Sequence, residues 1–189
     1  MASELSGQKI AFLIANEGAE QIELTEPWQA VQDAGGTPEL IAPKPGSARA
    51  FNHLDKAGSF PVDRAVKDAD PGQYDGLVLP GGVANPDQLR TIPAAVEFVT
   101  AMFQAGKPAA VICHAPWTLV EAGLVRGRKL TSWPSLRTDI RNAGGEWVDA
   151  EVQICTSGPN MLVTSRKPGD LPAFCKTMVA AFHQVTVAA

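Results

Sequence analysis

Four short apolar runs, spaced by segments of helical periodicity, constrain this chain most. Lys9 to Ala15, Thr37 to Ala42, Gly76 to Leu79 and Pro108 to Ile112 lack polar alternation, as strands buried on both faces do. The first run is followed by a polar, glycine-bearing turn and a helix from about Glu20 to Ala34, which Gly35-Gly36 stops. Between the third and fourth, Ile92, Ala95, Val96, Val99, Met102 and Phe103 recur at helical spacing until Gly106. Strand, helix, strand implies parallel pairing, so the expected fold is α/β: a mainly parallel sheet with helices on both faces, a three-layer sandwich.

Residues 43–63 break this rhythm with Pro45-Gly46, Ala57-Gly58 and short extended pieces around Ala50 to Leu54 and Phe60 to Val62. They read as a small projecting hairpin arm, whose Phe51, Leu54 and Phe60 suit either a dimer contact or a fold back onto the arm's own domain. Further on, Glu146 to Cys155 and Met161 to Ser165 flank the turn Thr156 to Asn160 and predict an antiparallel hairpin. On that strand Val148, Ala150, Val152 and Ile154 share one face and structural Cys155 the other. A last helix begins near Asp170 with a stripe of Leu171, Phe174, Cys175, Met178, Phe182 and Val185, leaving His183 to solvent. No repeat or linker divides the chain, so residues 1–189 are expected to form one domain.

Composition narrows the chemistry. A formal charge of −4 with scattered Lys and Arg argues against nucleic-acid and anionic-membrane surfaces; the basic cluster Arg126 to Lys129 reads as a solvated loop. Three cysteines, Cys113, Cys155 and Cys175, make an odd count without CxxC spacing, and His53, His114 and His183 lie far apart. Neither a disulfide framework nor a metal site is expected. The N-terminal apolar stretch is too short for a signal or a membrane span, so a cytoplasmic protein is predicted.

Ligands of open parallel sheets collect at the carboxyl ends of the strands, and three such ends carry unusual residues. Cys113 follows the fourth strand, at a sharp turn into a helix, where the backbone N–H groups ahead favour thiolate. Gly81 and Gly82 follow the third, and their N–H groups, with that of His114, suit an oxyanion hole. Glu20 and Glu23 fall on the apolar face of the first helix. An inward, unpaired carboxyl should stay protonated and can donate a hydrogen bond to the sulfur; Glu23 is the deeper candidate and Glu20 the reserve. His114 is the obvious base, although adjacent side chains usually diverge. Asp87, in the loop after Gly82, could orient it or simply cap a helix.

These residues, with Asn16-Glu17-Gly18 through Glu23-Leu24, Leu79 to Gly82, Cys113 to Pro116, Gly127 to Ser132, Asn142 to Gly144 and Val163 to Arg166, resemble the PfpI family. That family of intracellular proteases and general stress proteins lies in the class I glutamine-amidotransferase-like superfamily, which also holds the Parkinson-associated protein deglycase. The resemblance implies a flavodoxin-like fold, a nucleophile at Cys113 beside His114, a carboxyl at Glu23, no cofactor, and a homodimer or higher assembly. Protease-like members complete a triad with an acid from a neighbouring subunit, and Asp87 occupies the matching loop, one methylene shorter than the usual Glu. Ala115 replaces a common Gly, and Trp133 replaces Tyr, offering only an N–H donor.

Glutamine amidotransfer needs a distant His-x-Glu pair, whereas His183 is followed by Gln184-Val185. The favoured expectation is a cofactor-independent reaction on small reactive carbonyls, of glyoxalase or deglycase type. A peptidase acting on peptides is one alternative; a redox sensor or chaperone that uses oxidation of Cys113 is the other.

Overall fold

The computed structural model describes residues 4–187, with side chains described through Gln184. The chain opens with β1 (Lys9–Leu13), β2 (Glu17–Glu20) and α1 (Gln21–Asp33). Then β3 (Thr37–Ala42) leads to the arm, β4 (Gly46–Asn52) and β5 (Asp55–Val62), and to the short β6 (Arg64–Ala65). Next come β7 (Gly76–Leu79), α2 (Ala84–Leu89), α3 (Pro93–Gln104), β8 (Ala109–Ile112) and α4 (Pro116–Glu121). The chain closes with β9 (Lys129–Leu130), α5 (Arg137–Asn142), β10 (Glu146–Trp147), β11 (Val152–Cys155), β12 (Leu162–Ser165) and α6 (Leu171–Val187).

Seven strands form the central sheet in the order β11-β12-β8-β7-β1-β3-β6. Every neighbouring pair in it is parallel except β11 with β12. Pairing moves outward from β1 to β3 on one side and to β7 on the other, so the strand order reverses at the carboxyl end of β1. The four apolar runs occupy central strands, β7 and β8 buried at every position. One apolar cluster holds Phe98, Val99, Met102 and Phe103 of α3 with Leu119 of α4. The other holds Leu24 and Val31 of α1 with Phe174, Met178 and Phe182 of α6. Phe12 and Leu13, adjacent on β1, enter opposite clusters, because successive strand side chains point to opposite faces. The result is the three-layer α/β sandwich.

Several local expectations change. The turn after β1 is partly extended: Glu17–Glu20 forms β2, pairing parallel with β4, so α1 begins one residue later and Glu20 stands at its N-cap position. Gly18 makes this path available, with φ 101°. The arm is a hairpin, and through β2 it folds back onto its own domain; Phe51 and Phe60 are half-buried, while Leu54 at the tip is 82 % exposed. The expected long strand from Glu146 splits: β10 pairs parallel with β9, and only β11 joins the antiparallel hairpin. There Cys155 points into the α3-side core and Ile154 lies outward.

In α3 the buried stripe includes Phe98, and Ile92 falls before the first turn. The α6 stripe holds at Leu171, Phe174, Met178 and Phe182, with Cys175 half-buried; the side chain of Val185 lies outside the described residues. His183 is exposed and hydrogen-bonds the Glu4 carbonyl oxygen at 2.8 Å. Of the basic loop, Arg126 and Lys129 are exposed as expected, but Arg128 is buried, donating to Asn160 Oδ1 at 2.6 Å and lying over the Phe103 ring. A guanidinium with neutral acceptors and an aromatic face can be sheltered where a solvated charge was expected. Among the described residues no helix is long and apolar enough to cross a membrane.

Candidate active site

Three loops converge where β1, β7 and β8 end. Immediately after β8, Cys113 adopts φ 63°, a left-handed conformation costly for a side chain with a Cβ. Its backbone is fixed on both sides: the N–H donates to the Ser165 carbonyl at 3.0 Å, and the carbonyl accepts from Trp133 N–H at 2.8 Å. The elbow is therefore held by β12 on one side and by the 131–133 segment on the other.

This backbone geometry overrides the expectation that adjacent side chains diverge. The Cys113 Sγ and His114 Nδ1 atoms lie 3.2 Å apart. His114 Nε2 lies 3.4 Å from Ser135 Oγ, so a tautomer with the proton on Nε2 donates to Ser135 and leaves Nδ1 free to accept the thiol proton. The imidazole stacks on Trp133, with centroids 5.5 Å apart, and tilts against Trp117 at 5.3 Å. Burial between these rings pushes its pKa down to about 4, so it is neutral at pH 7. Trp133→Ala, by admitting water, is expected to raise the His114 pKa by about a unit or more, read from NMR titration of the imidazole protons. An unchanged titration would mean that Trp133 does not keep this ring dry.

Glu23 is fully buried and reaches the same sulfur from α1. Its Oε2 accepts from Gly81 N–H at 2.9 Å, while Oε1 has no hydrogen-bond partner among the described residues. Burial, reinforced by the charge of nearby Glu20, pushes the Glu23 carboxyl up to about 8, so the acid is mostly protonated at neutral pH. Cys113 departs from expectation. Burial first, then the Glu23 charge, pushes its thiol up, while the backbone N–H groups of Gly82 and His114 pull the other way. The following helix, α4, has only six residues. The resting pair thus holds a thiol beside a carboxylic acid, and thiolate forms when a base takes the proton.

The glycine loop divides its work differently from the expected three-donor oxyanion hole. Gly81 N–H is committed to Glu23, leaving Gly82 and His114 N–H facing the sulfur. Gly82 takes φ 84° against β2, and a Cβ there would stand 2.7 Å from Glu20 N. Glu20 is buried too, and its Oε2 accepts from His53 N–H at 2.9 Å, fastening the arm tip beside the site. Asp87 does not orient His114 within this chain. It is exposed and pairs with Arg90 at 3.1 Å, while Arg90 lies over the Trp117 ring.

Sequence reasoning missed Asn85, which is fully buried. Its Oδ1 accepts from Ala15 N–H, and its Nδ2 donates to the carbonyls of Pro80 and Gly81, which stitches the end of β1 to the glycine loop. Asn-Pro in a loop reads as a turn initiator, and nothing local marks it as a clamp. Ser135, Trp117 and His53 were likewise silent. Between these elements lies a cavity of about 240 Å³, walled by Glu20, Glu23, Cys113 and His114, with Leu54, Val83 and Trp133 also lining it. A larger groove of about 330 Å³, lined by Leu24, Trp28 and Phe60, has no nucleophile.

Residues 8–181 match the model of the DJ-1/PfpI family. The chain belongs to that family. Within it, Deglycase PH1704 of Pyrococcus horikoshii is 40 % identical over 171 residues, covering 90 % of this chain and 97 % of that protein. General stress protein 18 of Bacillus subtilis is 37 % identical over 178 residues, 94 % and 99 % of the two chains. The DJ-1/PfpI fold is equally clear in solved structures. A two-domain protein of Anabaena variabilis with DJ-1/ThiJ/PfpI-like and ferritin-like domains superposes with TM-score 0.83 and 29 % identity over 92 % of this chain. The present chain spans about half of that protein, 47 %. Schizosaccharomyces pombe DJ-1, at TM-score 0.76 and 21 % identity, covers 94 % of this chain and 97 % of its own and shares the flavodoxin-like fold.

Proposed function

We propose that this DJ-1/PfpI protein converts small reactive carbonyls by cysteine addition without a cofactor, in the manner of a glyoxalase or deglycase. The observation that carries this reading is the 3.2 Å approach of Cys113 Sγ to a neutral His114 Nδ1, beside a protonated Glu23. Relatives named deglycase, at 40 % identity and nearly full length, support it.

With methylglyoxal, the sulfur forms a bond to the aldehyde carbon as the thiol proton passes to His114 and Glu23 protonates the former carbonyl oxygen, giving a hemithioacetal. The Gly82 and His114 N–H groups stabilise charge on that oxygen during addition. Glu23, now a carboxylate, takes the C–H proton of the same carbon while His114 returns its proton to the neighbouring ketone oxygen. Glu23 then protonates the neighbouring carbon and takes back the hydroxyl proton, leaving a lactoyl thioester. The aldehyde carbon has been oxidised and the ketone carbon reduced, so no external electron carrier is needed. Water hydrolyses the thioester to lactate and restores the thiol.

Cys113→Ser is expected to lower methylglyoxal conversion by at least about 10³-fold, with an unchanged far-ultraviolet circular dichroism spectrum. Conversion at the wild-type rate would end this reading. A peptidase is less well served, although a relative is named a putative cysteine protease. His114 faces Ser135 where a triad needs an acid, and Asp87 is engaged by Arg90. The proposal includes a cytoplasmic homodimer or larger assembly.

A further inference from the structure

Among the described residues five large hydrophobic side chains are substantially exposed, and three of them, Leu54 at 82 %, Val83 at 46 % and Trp133 at 38 %, line the small cavity that holds Cys113. They come from three separate loops: the arm tip, the glycine loop and the segment after β9. Scattered single exposures are ordinary, whereas convergence on one cavity offers an apolar surface to whatever enters.

The charges around the cavity run one way. It is lined by two buried carboxyl side chains, Glu20 and Glu23, and by no Lys or Arg. The nearby guanidinium of Arg90 is engaged by Asp87, and that of Arg166 by Asp149 and Asp170. The Glu20 side chain accepts from His53 N–H, and its charge already acts on Glu23 across the cavity. The two N–H groups that face the sulfur can stabilise one developing oxyanion, and the lining has no lysine or arginine to receive a second, permanent carboxylate.

Resting on the carbonyl chemistry proposed above, we infer that the site selects neutral electrophiles bearing an apolar substituent and rejects those with a carboxylate next to the reacting carbon. Aryl or alkyl α-ketoaldehydes belong to the first class and glyoxylate to the second. Glu20 is the residue that excludes the anion, and Leu54 receives the apolar substituent.

The test begins with alkylation, which needs no turnover. Wild-type protein is treated at pH 7, where Glu23 is mostly protonated, with iodoacetamide or iodoacetate, and modification of the Cys113 peptide is timed by mass spectrometry. Relative to 2-mercaptoethanol, Cys113 is expected to prefer iodoacetamide by roughly tenfold or more, since a unit negative charge a few ångströms away acts across a low-dielectric wall. Glu20→Gln, which keeps an acceptor for His53 N–H, should shrink that preference several-fold. In turnover, Leu54→Ser should lower kcat/KM for phenylglyoxal relative to methylglyoxal by about fivefold. Equal reactivity with both reagents, or a preference that survives Glu20→Gln intact, overturns the selectivity while the carbonyl chemistry stands. A Cys113 that neither reagent modifies overturns both.

Discussion

Glu23→Gln is expected to flatten the dependence of stability on pH between about 4.5 and about 8. The direction follows from linkage. Glu23 is raised in the folded protein by burial and by Glu20, so folding favours its neutral form. Below about 4.5 the carboxyl is protonated in both folded and unfolded chains, and its contribution to stability is complete. As the pH rises towards about 8 the unfolded chain ionises while the folded one resists, and stability is lost at about 1.4 kcal/mol per pH unit, roughly 5 kcal/mol across the window. Above it both forms are ionised and the loss levels off.

Glutamine has no proton to lose, so the variant should lack this slope, while titrating groups remote from Glu23 cancel in the comparison. Urea unfolding of the two proteins at pH 5, 6.5 and 8 measures it directly. Identical slopes would show that Glu23 is not a buried acid held neutral by its surroundings. A second reading of the same variant is Cys113 alkylation, whose pH profile should move lower, because the Glu23 charge is one of the groups raising the thiol.

Gly81→Ala should be nearly as damaging and for a steric reason. A Cβ on Gly81 would stand 2.5 Å from both Cys113 Cβ and Glu23 Oε2, and 2.8 Å from the Ile112 carbonyl oxygen. The Cys113 Cβ and the Ile112 carbonyl cannot swing aside, and Glu23 Oε2, although a side-chain end, is held by Gly81 N–H, so relief requires moving the β8 elbow or breaking the Gly81–Glu23 hydrogen bond. Overpacking of this kind costs about 1–3 kcal/mol. Displacing a nucleophile by about 1 Å costs roughly 10²-fold in rate. Urea titration and methylglyoxal turnover report the two effects separately; a Gly81→Ala protein with wild-type turnover would mean that the loop has slack the structure does not show.

The two variants also mark where sequence reasoning succeeded. Glu23 was legible as an inward carboxyl because Leu24, Pro27 and Val31 put an apolar face around it, and all four are buried. Cys113 was legible because an apolar run ended there. Gly81 was legible only as an unusual glycine. It was expected to donate to an oxyanion, and its N–H is instead the partner of Glu23, 58 residues away. Asp87 shows the opposite failure: it lies inside α2 where a loop was expected, and Arg90, three residues on, takes its carboxylate.

The sequence by itself determined the alternation of buried strands and amphipathic helices, hence the parallel sheet and the edge at which its unusual residues would gather. Those features are periodic and local, set by 3.6 residues per helical turn and two per strand repeat. Tertiary structure alone decided the rest of the site's chemical state: a neutral imidazole between Trp117 and Trp133, a thiol pushed up by burial, and Asn85 joining two loops. Desolvation and hydrogen-bond pairing depend on which atoms meet after the layers pack, and no local period in the chain encodes those meetings.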